Sequence, residues 1–225
     1  MKKINRRQLL TSAFASATLV AVSGNVSAQT PPNTCKKSKT PVQPEGPFYP
    51  IDDQMDTDTD LIRVNGSEAR ALGEMIYVEG TVTDQNCNAV SGVLVEIWQA
   101  CHSGRYNHPS DPNTAELDPN FQYWGKAVTN DKGYYKFRTI IPGAYPANEG
   151  WVRPPHIHFK VSRKGYLELI TQMYFFGQEL NDNDLILQRL SKAEQEKLVV
   201  PLRTTSFNPN EPTLIGTFNI SMTKV

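Results

Sequence analysis

Six segments of this chain follow one pattern: apolar side chains on every second residue, stopped within about ten residues by glycine, proline or a turn cluster. They are MIYVEGTVTD (75–84), GVLVEIWQA (92–100), GYYKFRTIIPG (133–143), HIHFKVSRKG (156–165), LELITQMYFFG (167–177) and GTFNISMTK (216–224). A period of two places alternate side chains on opposite faces of a strand. Short strands cut at this spacing fit an all-β antiparallel sandwich in a single domain. One short helix is predicted near 182–198, where Leu185, Leu187, Leu190 and Leu198 fall in a charged stretch, and long loops are expected at 101–124 and 143–153.

Before the strands, the chain divides in two. KKINRRQLL is followed by a weak apolar run and by Val26-Ser27-Ala28, so residues 1–28 read as an export signal. Arg6-Arg7 ahead of Gln8-Leu9-Leu10 favours the twin-arginine type. The apolar run is short and rich in Ser, Thr and Ala, which does not suit a membrane-spanning helix. Residues 29–45 are rich in Pro, Lys and Thr and read as an extended arm, leaving 46–225 for the sandwich. The expected location is periplasmic or secreted. Three cysteines, Cys35, Cys87 and Cys101, would then meet an oxidising compartment. Their pairing is open; a Cys35–Cys87 bridge with Cys101 as a buried thiol is favoured. With 23 basic and 23 acidic residues, no charge surplus points to nucleic acid or an anionic membrane. A homo-oligomer is compatible with the sequence.

Within HIHFKV, the period of two gives His156, His158 and Lys160 one face and Ile157, Phe159 and Val161 the other. Two imidazoles at i and i+2 reach one metal ion, or decorate a solvated face. Pro154-Pro155 stiffens the approach to them. Two tyrosines stand out from the rest. Tyr106 in GRYNH and Tyr145 in PGAYP are bracketed by Gly and Pro, in loops of the kind that present a side chain at a rim. Tyr134, Tyr135 and Tyr174 lie inside strands and are expected only to pack.

In order along the chain, GTVTD, GVLVEIWQA, GRY, LDPNF, TNDKGYYKFRTIIPGAYP, WVRPPHIHF and ITQMYF closely resemble the intradiol ring-cleaving dioxygenases, especially the protocatechuate 3,4-dioxygenase branch. The resemblance runs from about Glu45 to the last strand. It implies a non-haem Fe(III) held by Tyr106, Tyr145, His156 and His158. The chemistry agrees: Fe(III) is a hard cation that favours anionic oxygen, and a phenol of ordinary pKa about 10 ionises only beside such a charge. It also implies Arg153 beside the iron, stabilising negative charge on a bound aromatic diolate, and Gln172 near the substrate. The expected substrates are O2 and a catechol-type aromatic of the protocatechuate, catechol or hydroxyquinol class, opened to a cis,cis-muconate. The resemblance breaks after Tyr145. Where the family branch carries a tryptophan soon after the proline, this chain has Ala147-Asn148-Glu149-Gly150, and the loop is short. Two other readings stand beside this one. GTVTD with VSGVLVEI also resembles non-enzymatic transthyretin-like binding modules, and Tyr with His also suits copper.

Overall fold

Among the described residues, twelve strands and one α-helix follow in order: β1 (Met75–Asp84), β2 (Leu94–Trp98), β3 (Trp124–Val128), β4 (Tyr134–Ile140), β5 (Tyr145–Asn148), β6 (Trp151–Arg153), β7 (His156–Ser162), β8 (Leu169–Phe175), α1 (Lys192–Leu198), β9 (Val199–Val200), β10 (Leu202–Asn208), β11 (Glu211–Thr217) and β12 (Ile220–Met222). The structure is a computed structural model that describes residues 39–225 except 53, 55, 209 and 210. The expected export signal at 1–28 and the first part of the arm lie outside the described residues.

Two five-stranded sheets form the sandwich. One runs β10-β11-β1-β12, with β4 also on β1; the other runs β3-β2-β7-β8-β9. Each strand contributes one apolar face to a shared core: Ile76, Val78 and Val82 from β1, Phe137 from β4, Val95 and Ile97 from β2, Ile157, Phe159 and Val161 from β7, and Met173 and Phe175 from β8. The all-β expectation holds, but the sheets are mixed rather than wholly antiparallel. β11 and β12 both lie parallel to β1, and β9 lies parallel to β8. The segment read as one strand at 216–224 is two, broken at Phe218-Asn219. Gly80 makes room for that break: a Cβ there would come within 1.9 Å of the Phe218 carbonyl oxygen.

The helix is shorter than predicted. Two 3-10 turns, Glu179–Asn183 and Leu187–Arg189, precede a seven-residue α1. Ser191 starts α1, donating its backbone N–H and hydroxyl to the Glu194 carboxylate. Leu187 and Leu198 are buried whereas Leu185 is exposed, so the leucines do not share one helical stripe. The loop expected over 143–153 is instead the hairpin β5–β6. Cys101 is a buried free thiol and Cys87 is disulfide-bonded; Cys35, the other half of the favoured bridge, lies outside the described residues.

The second sheet is buried on both faces. Its outer face carries Trp98 from β2, His156 and His158 from β7, and Gln172 and Tyr174 from β8, all at most 2% exposed. The arm covers it. Gln43 N–H donates to the Ile170 carbonyl, Thr171 Oγ1 donates to the Pro41 carbonyl, and Gln172 Nε2 donates to the Pro44 carbonyl. Residues 40–49 are thus part of the packed structure, not a free tether.

Candidate metal centre

Strand alternation delivers the two histidines. In the β2–β7 register His158 faces Trp98, whose indole stacks on the imidazole at 4.7 Å and 13° between planes. His156 Nδ1 lies 2.6 Å from the Pro154 carbonyl oxygen. A carbonyl only accepts, so that Nδ1 carries the proton and Nε2 keeps its lone pair. The stiff Pro154-Pro155 approach therefore fixes the tautomer as well as the direction of the strand.

The tyrosines arrive on loops that touch backbone to backbone. The Cys101 carbonyl accepts from the N–H groups of both Gly104 and Gly143. Gly104, at φ +83, faces the Ala144 carbonyl so closely that a Cβ would come within 2.3 Å; a Cβ on Gly143 would come within 2.4 Å of the His102 carbonyl oxygen. Only glycine allows this approach, and it brings the Tyr106 and Tyr145 rings to 5.4 Å, edge to face. The Asp111 carboxylate accepts the Tyr106 backbone N–H at 2.7 Å and holds that loop. Neither tyrosine is at a rim: Tyr106 is 3% and Tyr145 is 7% exposed. Phe48, three residues past the arm, covers them, 4.7 Å from the Tyr106 ring and 6.2 Å from the Tyr145 ring.

Three donor atoms converge. Tyr106 Oη stands 3.4 Å from His156 Nε2 and 3.2 Å from His158 Nε2, and the two Nε2 atoms are 3.2 Å apart. Tyr145 borders the same space, its ring 5.7 Å from that of His156. Donors about 2.1 Å from a shared cation, at angles of about 90–110°, lie roughly 3.0–3.4 Å apart. The residues present therefore fit a metal ion. No group of three or more His, Cys, Asp or Glu fit to hold a metal occurs among the described residues, because half of this donor set is phenolic. Burial, with a contribution from Arg153, holds both histidines well below their ordinary range, so they are neutral Lewis bases. Burial raises both tyrosines, and Arg153 partly opposes that rise. Without a cation the phenols keep their protons.

This sets a pH dependence for the metal-free protein. Below the ordinary histidine value of about 6.5 the unfolded chain takes up protons at His156 and His158 and the folded chain does not. Stability is thus fully present above about pH 6.5 and is lost as pH falls toward the folded-state values, by up to about 1.4 kcal/mol per pH unit per histidine. Denaturant midpoints of metal-free protein should fall between pH 7.5 and 5.5, less steeply in His156→Gln. An unchanged midpoint would contradict neutral, buried imidazoles.

Arg153 ends β6 opposite Tyr145 in the β5–β6 register. It is not a surface arginine. Its Nε donates to Asp184 Oδ2 at 2.7 Å, and its Nη2 donates to Gln172 Oε1 at 2.7 Å and to Tyr174 Oη at 3.2 Å. Burial alone would lower its pKa; Tyr174, Tyr145 and Asp184 more than offset this and raise it. Gln172 sits in the β8 position facing His158, and its amide is engaged by Arg153, Tyr174 and Pro44. Tyr174 does more than pack, since its hydroxyl also donates to Gln43 Oε1 at 3.1 Å. Sequence reasoning missed Asp184, Gln43, Phe48 and Trp98. The aromatic pair in EGPFYP (45–50) was a signal for the covering segment; nothing in NDNDLI (181–186) marks Asp184 from its neighbours. After Tyr145, the hairpin carries Trp151 across from Asn148, with the Arg153 guanidinium 5.6 Å from its ring centroid.

The family described as Dioxygenase (Dioxygenase_C) matches residues 44–223. The chain belongs to the intradiol ring-cleavage dioxygenase family. This family member is 41% identical over 157 residues to the protocatechuate 3,4-dioxygenase beta chain of Burkholderia cepacia, a match covering 68% of this chain and 66% of that one. Against catechol 1,2-dioxygenase 1 of Acinetobacter lwoffii it is 31% identical, and the match spans about half (53%) of that relative. Among solved structures, the dioxygenase domain of a dioxygenase carbohydrate-binding protein fusion from Streptomyces sp. SirexAA-E superposes with a TM-score of 0.62 at 29% identity, covering 84% of this chain and all of that one.

Proposed function

We propose that this chain is an exported, Fe(III)-dependent intradiol dioxygenase that opens a catechol-type aromatic ring with O2 to a cis,cis-muconate. The observation that carries the reading is the convergence of two strand imidazoles and a loop phenol on one buried point bordered by a second phenol, with Arg153 buried alongside. Tyr106, Tyr145, His156 and His158 would hold the ion. When bound, Fe(III) would draw electron density from a chelated catecholate and open the ring to O2.

The protein's own groups divide the remaining work. Tyr145 is the most exposed of the four and sits on the hairpin side. With the ion bound, it would be the ligand to give way to the substrate. Burial raises its proton affinity, so a displaced Tyr145 phenolate takes a proton from a substrate hydroxyl. Tyr106, deeper and fixed through Asp111, stays in place. Arg153 presents positive charge to the diolate, and Gln172, with its amide engaged by protein groups, serves to hold Arg153. Phe48, Tyr49 and Trp98 keep competing water out.

Metal analysis, the visible spectrum and O2 uptake test the reading on the mature protein. Bound iron, a wine-red tyrosinate-to-iron band and O2 uptake with at least one of catechol, protocatechuate, hydroxyquinol or a chlorinated catechol are expected. A colourless protein inert to all of them would favour a non-enzymatic binding module. Fractionation of cells carrying the full chain tests the export, and activity confined to the cytoplasm would refute it.

A further inference from the structure

The buried carboxylate behind Arg153 has no part in the reading above, yet every polar atom on it is used. Asp184 is fully buried. Its Oδ1 accepts the backbone N–H groups of Ile186 at 3.1 Å and Leu187 at 2.7 Å, which fixes it at the start of the second 3-10 turn. Its Oδ2 is then left in one position, 2.7 Å from Arg153 Nε. Gln172 and Tyr174 take Nη2. The Nε and Nη2 positions are therefore filled by protein, and Nη1 is the guanidinium nitrogen without a partner among the described residues. The guanidinium is planar and always charged, so filling those two positions sets where Nη1 is presented.

We infer that Asp184 is a positioning residue for ring cleavage, acting through Arg153 by clamping Nε so that Nη1 stays available to the negative charge of the substrate. This rests on the dioxygenase reading. Without that carboxylate the guanidinium keeps only its Nη2 contacts and can turn its Nε toward Tyr145 or the substrate oxygens. The charge would remain in the site but would no longer be preorganised, and preorganisation is the source of its catalytic value.

The test has a spectroscopic arm and a kinetic arm. In metal-free protein the Arg153 Nε–H should give a slowly exchanging ¹H–¹⁵N signal, assigned by its absence in Arg153→Lys. In Asp184→Asn it should broaden or exchange at the solvent rate. In iron-loaded protein, Asp184→Asn should lower kcat per iron at least about tenfold, a fraction of the roughly 10²–10³ expected for losing the preorganised group itself. On an Arg153→Leu background the same change should have no further effect on turnover. A wild-type Nε–H that exchanges at the solvent rate overturns the inference, and needs no variant at Asp184. So does an Asp184→Asn effect of equal size on both backgrounds, which would mean that the carboxylate acts through the fold. An active wild type with an unimpaired Asp184→Asn refutes this inference alone, whereas an inactive wild type refutes the dioxygenase reading with it.

Discussion

Replacing His158 with alanine is expected to strip the metal from the protein and with it all ring cleavage. The Nε2 atom of His158 forms two of the three short donor–donor contacts in the site, to Tyr106 Oη and to His156 Nε2. Removing it leaves one imidazole and the phenols, and opens a gap against the stacked Trp98 ring that water can enter. Loss of an outer-shell partner alone typically costs a metal site about 10- to 100-fold in affinity, so loss of a ligand should exceed that. The opposite face of β7, with Ile157, Phe159 and Val161, keeps its core contacts, so the variant should still fold. Metal analysis after dialysis against a chelator, beside a melting curve, is the measurement. Full iron occupancy in a folded His158→Ala protein would remove His158 from the ligand set.

Arg153→Leu is expected to fail in two separable ways. Turnover per bound iron should drop by about 10²–10³, the usual effect of losing one preorganised charge-stabilising group. Stability should drop as well, because Asp184 would be left buried with no counter-charge. Breaking a buried pair by removing one partner costs about 3–5 kcal/mol. The resemblance implies a catalytic Arg153, and its buried ion pair with Asp184 adds a structural role. Neutralising the second partner too, as Arg153→Leu/Asp184→Asn, should recover much of the melting temperature and none of the turnover. If Arg153→Leu melts early but each iron turns over as in wild type, the arginine serves the scaffold alone.

What the sequence made legible is what local chemistry encodes. Alternation in HIHFKV placed both histidines on one face, and the glycines beside Tyr106 and Tyr145 marked unusual loops, so the four residues that meet in space were readable as a set. Their burial was not. Gly-Pro loops usually lie at rims, and the exception arises here because a segment some sixty residues upstream of Tyr106 in sequence, ending in Phe48, folds over them. The parallel placement of β11 and β12 on β1 was equally hidden, since Ile76 and Leu214 carry no local sign of facing each other. Asp184 was out of reach for a related reason. It is one acidic residue in an acidic run, and only the tertiary fold brings Arg153 to it.

The seating of residues 40–49 against both sheets has a kinetic consequence. Thr40 Oγ1 accepts the Ser221 backbone N–H across 181 positions, and Gln172 reaches the Pro44 carbonyl across 128. Contacts between such distant points form slowly, because the entropy of closing the intervening loop is lost before any contact repays it. During synthesis this stretch leaves the ribosome ahead of every described strand, and its partner Ser221 in β12 follows 181 residues later. The wall over the candidate metal site is thus translated before the strands it covers and docks only after they have formed, and until it docks the histidine nitrogens on β7 stay open to solvent.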